Sequence, residues 1–391
     1  MGARMIGRRV DFSSWRKLAP AAALVAVLAL ASAAIVYSQA ADKTAGKVDK
    51  ASAQPALRVG GNVDAAKIAG HAKCVDCHRS EVAAWKKSKH ASYVFDLLLD
   101  PHAVEYAKKM GIEADQITHS SMCLNCHGTP MKNQQGHAQA IAGVSCEACH
   151  NPAGGQSGWL NPHAVYGPVG TRREAETPEH KQRRAERCRK AGQIRTSDLY
   201  LLAKRCHACH VVGNEKLVNE AEHKLSGDRF DLLKRMSGDV RHNFHLNRSK
   251  NALVSSLRTD GHENIKEATE ARMRVVHVVG MLVKAETVLR RLAGAEDPEG
   301  DFAEGLAALF EETLDDLEDT DVDELADLAD EHRDLCDRLL DADFETGDED
   351  VLKAVKVFAK SAQQYAAGDG KGLKDFELPK LDVELKKAFQ P

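Results

Sequence analysis

Residues 18–37 carry no charge and consist largely of Ala, Val and Leu. Arg4, Arg8, Arg9, Arg16 and Lys17 precede this run, and the small residues Ser38-Gln39-Ala40 follow it. That order fits a secretory signal peptide, and the run is also long enough to serve as a membrane anchor. Either way the basic flank keeps the N-terminus cytoplasmic. Residues 41–66 are rich in Ala, Lys, Gly and Ser, with Pro55 and Gly60-Gly61, and read as a flexible tether. Beyond it, apolar positions recur at helical spacing. Short helices are expected at 81–89, 101–110, 183–190 and 197–205. The Pro, Gly and Asn cluster of 151–171 reads as a loop. The pattern strengthens at 272–292, 302–317, 322–340 and 351–365, where Gly and Pro breaks predict a small antiparallel helical array. Strand signals are almost absent. A mostly α fold with little sheet is expected, in four parts: 1–40 signal or anchor, 41–66 tether, 67–250, and a helical extension at 251–391.

Charge sharpens the last division. The chain of 391 residues has a net charge of only −4, yet 296–350 holds 25 Asp and Glu against Arg333 and Arg338. The remainder is correspondingly basic. The acidic segment reads as a solvated helical face. The sharper readings are a surface steering a basic partner and a face folding against the basic run 172–205. No phosphate-binding glycine loop, hydrolytic triad or nucleic-acid signature is present.

The chemistry lies in 67–250. Cys74-Val-Asp-Cys77-His78, Cys123-Leu-Asn-Cys126-His127, Cys146-Glu-Ala-Cys149-His150 and Cys206-His-Ala-Cys209-His210 are four copies of C-x-x-C-H. Random order of this composition would give about 0.01 copies. The spacing lets two thiols reach the two vinyl groups of one porphyrin, while the following imidazole coordinates the iron. Paired C-x-x-C units also build zinc sites, but zinc does not require a histidine after every pair, and a thioredoxin-like pair does not come in fours. Four covalently attached haem c groups are therefore expected, with His78, His127, His150 and His210 as proximal ligands and porphyrins forming much of the core. Only the short 128–145 segment separates motifs two and three, so their haems are expected to be neighbours. Such haems are attached outside the cytoplasm, which places the protein in the periplasm or an equivalent compartment. Arg8-Arg9 alone is too little for a twin-arginine signal.

The sixth coordination position decides between a closed electron carrier and an open haem. Of eighteen histidines, the distal candidates are His90, His119, His163, His223 and His242. His245 competes with His242, and His102 is weaker. Trp85 is expected to pack on a porphyrin. His71 and His137 read as surface residues, and His180, His207, His262 and His332 as solvated. His277, inside Val275-Val276-His277-Val278-Val279, reads as a satisfied core histidine. Cys188 and Cys336 belong to no motif and read as unpaired thiols.

Cys74 to His78 with Trp85 and His90, the run Gly-Val-Ser-Cys-Glu-Ala-Cys-His-Asn-Pro at 143–152, and Ser-Gly-Asp-Val-Arg-His-Asn-Phe at 237–244 resemble the cytochrome c-554 family of tetrahaem cytochromes. The similarity covers about residues 67–250. It implies a mostly helical periplasmic multihaem c-type cytochrome with closely stacked haem pairs. That family carries electrons away from an oxidoreductase of nitrogen metabolism. Most of its haems have two histidine ligands, and its best-known member keeps one five-coordinate. The resemblance supports the four proximal histidines, His90 and His163 as distal ligands, and one of His223 or His242. The chain departs from the pattern at Asn151, where glycine is usual. It departs again at Glu222-His223-Lys224, where Gly-His-Pro is expected.

The expected function is electron transfer between redox protein partners, such as a periplasmic oxidoreductase and a quinone-linked or soluble cytochrome, with membrane attachment through the N-terminal segment if it is retained. The alternative is an enzyme acting on a small nitrogen compound, such as nitric oxide, at one five-coordinate haem. A third reading makes the acidic helices an interaction module.

Overall fold

The computed structural model describes residues 64–97, 100–133, 135–226, 230–237, 245–247, 252–254, 269–374 and 376–379. The signal or anchor at 1–40, most of the tether, His242, His262, most of the 237–244 run and the boundary at 250 lie outside the described residues.

The chain is mostly helical with little sheet, as expected. Its first helices are α1 (Arg79–Trp85), α2 (Lys89–Leu97) and α3 (Pro101–Lys109). The single helix expected at 81–89 is two, because Ser88 closes a turn on Trp85 through both its backbone N–H and its hydroxyl. Asp100 caps α3 by accepting from the His102 N–H, with Pro101 at its first position. Helix α4 (Ser121–His127) leads into an antiparallel hairpin of β1 (Thr129–Lys132) and β2 (Ala138–Ala142), with a register shift at Thr129/Pro130. Then come α5 (Cys146–His150), α6 (Leu160–His163), α7 (Pro178–Lys190), α8 (Leu199–His210), α9 (Glu215–Asn219) and α10 (Leu232–Ser237). Helix α6 interrupts what the sequence presents as one loop. Helix α8 runs on past its expected end through the fourth motif. A second strand pair joins β3 (His245–Asn247) to β4 (Ala252–Val254).

The extension contains α11 (Glu270–Leu292), α12 (Asp301–Glu318), α13 (Asp323–Asp330), α14 (Arg333–Leu340) and α15 (Glu349–Ala367). Helix α11 is apolar on nearly every face, so neighbours must surround it. It runs antiparallel to α15: the Gly347 N–H bonds the Ala293 carbonyl at one end, and Gly370 abuts the Ala271 carbonyl at the other. The helix expected at 322–340 breaks at His332, whose Nδ1–H donates to the Leu328 carbonyl while its ring packs on Phe358. One hydrophobic core takes in Leu199 and Ala203 of α8 together with Val279, Leu282, Leu289, Phe310 and Phe358 of the extension.

The acidic segment keeps an apolar inner face of Leu306, Leu314, Leu317 and Leu325. Its two arginines serve their own neighbours, Arg333 bridging Asp315 and Glu318, and Arg338 reaching Asp348. His277 lies 3.2 Å from Asp231 and stacks on Phe376, a satisfied core histidine as expected. Cys188 and Cys336 are buried free thiols in separate parts of the core. Among the described residues no helix is long and apolar enough to cross a membrane.

Both sequence departures fall at strained backbone. Asn151 has φ +69° and ψ 159°, and Glu222 has φ +59°, where a Cβ is disfavoured and glycine is at ease. Asn151 is held there by its side chain, which donates to the Gly192 carbonyl and accepts from Arg205. Among the described residues the Glu222 side chain has only an exposed ion pair with Lys109, which is worth little. Glu222→Gly is therefore expected to raise stability by about 1 kcal/mol, read as a higher thermal midpoint. An unchanged or lower midpoint would show that the positive φ carries no strain.

Candidate haem centres

Three of the four motifs sit on helices. Motif two occupies α4, motif three is α5, and motif four ends α8. Helical spacing puts positions i, i+3 and i+4 on one face, so both sulfurs and the imidazole point the same way. Motif one forms a single turn, with the His78 N–H bonded to the Cys74 carbonyl, and α1 starts directly after it.

The motifs do not associate in chain order. The Cys74 thiol contacts Cys146, and the Cys126 thiol contacts Cys209. These contacts join motif one to three and two to four, whereas motifs two and three are joined in sequence by the hairpin. Burial pushes the Cys149 and Cys206 thiols up, keeping them protonated. Among the described residues no group of three or more His, Cys, Asp and Glu is arranged to hold a bare metal ion.

Three motif histidines face a second histidine from elsewhere in the chain. His78 faces His163 with ring centroids 5.9 Å apart and planes 22° apart. His210 faces His90 at 6.1 Å and 79°. His127 faces His223 at 6.2 Å and 65°. An iron between two imidazoles needs a metal–nitrogen bond of about 2 Å on each side. With about 1 Å from each nitrogen to its ring centre, the centroids should lie about 6 Å apart. The residues thus fit iron-centred haem at three motifs.

The distal candidates cross between motifs. His163 follows motif three and faces motif one, His90 follows motif one and faces motif four, and His223 follows motif four and faces motif two. Haem ligation would therefore cross-link segments far apart in sequence.

Supporting contacts hold these rings. The Nδ1–H of His150 donates to the Ile194 carbonyl at 2.8 Å, and that of His223 to the Lys224 carbonyl at 2.8 Å. Such bonds fix the tautomer that leaves Nε2 free for a metal. His78 Nδ1 lies 3.6 Å from Glu81, which raises its pKa. Burial pushes His127 and His163 down to about 4, and His210 to about 3, so each is the neutral, ligating form at neutral pH. Gly143 packs so closely under the start of α2 that a Cβ there would collide with the His90 carbonyl.

Trp85 donates its indole N–H to the Val144 carbonyl, just before motif three, and lies 4.9 Å from the His71 ring. Trp159 meets His163 edge-on at 5.5 Å. Arg184 bonds the His163 carbonyl and is itself gripped by both oxygens of Glu176. The Arg184 guanidinium holds the Glu176 carboxyl down to about 2. Because this folded-state value lies below the ordinary 4.5, its stabilisation is present above pH 4.5 and is lost as pH falls towards 2. Glu176→Gln is expected to flatten this acid limb in unfolding midpoints measured across that range. An unchanged pH profile would remove Glu176 from the account.

The other candidates lie elsewhere. His119 is exposed, with Nδ1 against Thr118, and pairs with no motif histidine among the described residues. His102 is exposed beside Glu105. The side chain of His245 lies outside the described residues. His137 is exposed, as expected. Four surface or solvated readings are corrected. His180 is half-buried with Nδ1 2.6 Å from Glu176, and His332 is half-buried against Phe358. His71 is half-buried against Trp85, with a buried, unpartnered Nδ1. His207 is only 1% exposed, bonded to the Ala203 carbonyl and packed on Phe230. Sequence reasoning also missed Glu147, buried inside motif three, whose carboxylate accepts from the Ala69, Gly70 and Ala153 N–H groups. Its signal was a carboxylate at a position the thioether chemistry does not require. Phe230, stacked 4.1 Å from His210, gave none.

Residues 73–151 match the family described as cytochrome c554 and c-prime. The chain is also similar to cytochrome c-554 of Nitrosomonas europaea, with 26% identity over 153 residues, which cover 37% of this chain and 58% of that protein. The match thus spans less than two thirds of the relative's length. No solved structure matches. Both findings support the cytochrome c-554 family, as the motifs implied.

Proposed function

We propose that this protein is a periplasmic tetrahaem c-type cytochrome that carries electrons between redox protein partners. The observation that carries this reading is the set of three imidazole pairs spaced for one iron each. A c-type cytochrome with covalent haem is supported by the family comparisons. The finer reading assigns Cys74 and Cys77, Cys123 and Cys126, Cys146 and Cys149, and Cys206 and Cys209 to the thioether bonds. His78, His127, His150 and His210 are then the proximal ligands, and His163, His223 and His90 the distal ligands of motifs one, two and four.

Each bound haem supplies a one-electron ferric/ferrous couple. The chain's own residues present neutral imidazoles, fix their tautomers through carbonyl bonds, and withhold water from the buried rings. Two histidines per iron leave no open position for a substrate, which favours carriage over catalysis at those three motifs. The basic and apolar run at 4–37 supports export, and the composition of 41–66 supports a tether. The partners belong to the class of periplasmic oxidoreductases and quinone-linked or soluble cytochromes.

The deciding experiment is a reduced-pyridine haem count together with the oxidised absorption spectrum of the exported protein. Four haems per chain, mainly low-spin, are expected. A colourless protein whose sulfurs hold zinc or bridge one another would end the proposal. A high-spin band that responds to nitric oxide would instead favour the enzyme reading.

A further inference from the structure

We infer that Arg291, supplied by the helical extension, sets the reduction potential of the haems held by motifs two and four. The inference rests on the haem reading above and gives the extension a redox role of its own.

Arg291 lies in the last turn of α11. Its Nη2 donates to the His207 and Ala208 carbonyls, at 3.5 and 3.1 Å, both between the cysteines of motif four. A Cβ on Gly213 would stand 3.0 Å from the guanidinium carbon, so the plane lies flush against glycine backbone. Nη1 is buried and has no hydrogen-bond partner among the described residues.

The charge around this group is one-sided. The neighbouring Arg290 takes the Glu286 carboxylate. Burial pushes the Arg291 pKa down to about 10, which still leaves it charged at neutral pH. Arg291 is thus a half-buried cation against motif four, with no carboxylate side chain paired to it among the described residues.

Such a cation is costly to keep, and a helix-end charge interaction does not require it to be buried. Reduction of a haem iron adds one negative charge, which a nearby cation favours. Removing the cation should therefore make reduction harder. Because the guanidinium is half-buried, with Nη1 shut off from solvent, salt should screen this effect less than it would at a fully exposed charge.

The test is a spectroelectrochemical titration of the full haem-loaded chain carrying Arg291→Met, Arg291→Lys or Gly213→Ala, with haem counted in each. The Met variant is expected to retain its haems but to lose about tenfold in the reduced-to-oxidised ratio of one or two haems at fixed potential, about 59 mV for a one-electron couple. The Lys variant is expected to restore most of that loss. Gly213→Ala, which displaces the guanidinium without removing it, is expected to lower the same couples.

A fully loaded Met variant with unshifted potentials would overturn the inference. So would a Lys variant as low as the Met variant, since position rather than charge would then matter. If the Met variant fails to load haem, Gly213→Ala decides by the same shift. A parent protein without haem would instead overturn the proposed function.

Discussion

Replacing His163 with alanine is expected to convert the motif-one haem from low-spin to high-spin while leaving it covalently attached. Two thioether bonds from Cys74 and Cys77 and the His78 ligand would remain. Only the ring facing His78 at 5.9 Å is lost. Trp159 packs edge-on against that ring and has no free lone pair to offer iron, so it does not replace the lost ligand. The reduced variant should bind one more carbon monoxide per chain than the parent. A spectrum identical to the parent would show that His163 is not a ligand.

Electron paramagnetic resonance adds a second readout. Near-parallel imidazole planes donate into the same iron orbital and split the two π-type orbitals, giving a rhombic signal. Strongly tilted planes donate to both and leave them nearly equal, giving a highly anisotropic one. The His78–His163 planes differ by 22°, whereas the His210–His90 and His127–His223 planes differ by 79° and 65°. His163→Ala should therefore remove the rhombic component. His119→Ala, at an exposed residue, should change neither spectrum.

The motif chemistry was legible because spacing alone aligns two sulfurs and an imidazole. His90, His163 and His223 were legible as ligand candidates from their positions near motifs. Which motif each faces was not, because each pairing crosses the fold. The β1–β2 hairpin was missed because Pro130 argues against a strand and the Ala-rich β2 has little strand propensity. His207 looked solvated because a motif's spacer positions carry no periodicity, yet α8 turns that side into the core shared with α11. Asn151 and Glu222 stood out as departures from an expected glycine, and the positive φ at both positions gives the physical reason. Glu286 and Arg291 gave no local signal at all. Apart from Arg290, four residues on from Glu286, their partners lie more than eighty residues away, and the sequence presents them as ordinary charges on a helix.

Glu286 carries the second large expected effect. Its carboxylate is completely buried. One oxygen accepts from Lys204 Nζ at 2.9 Å and from Arg290 Nε at 2.8 Å, and the other accepts from the Tyr200 hydroxyl at 2.9 Å. Tyr200 and Lys204 belong to α8, so this one carboxylate fastens the extension to the helix that ends in motif four. Glu286→Ala would leave Lys204, Arg290 and the Tyr200 hydroxyl without this acceptor; because the two cations are 36% and 50% exposed, water takes up part of the loss, and the cost should fall below the roughly 3–5 kcal/mol of a fully buried pair. Tyr200→Phe removes the hydroxyl's bond to the charged acceptor, worth about 1.5–3 kcal/mol, and the longer bond it accepts from Lys204 Nζ at 3.4 Å. Denaturant unfolding should be followed twice, at the haem absorption band and by helical circular dichroism. If the carboxylate couples the two parts, Glu286→Ala lowers both midpoints together. A drop in the helical signal alone would show that the motif-four helix stands without the extension, and that α11 only rests against it.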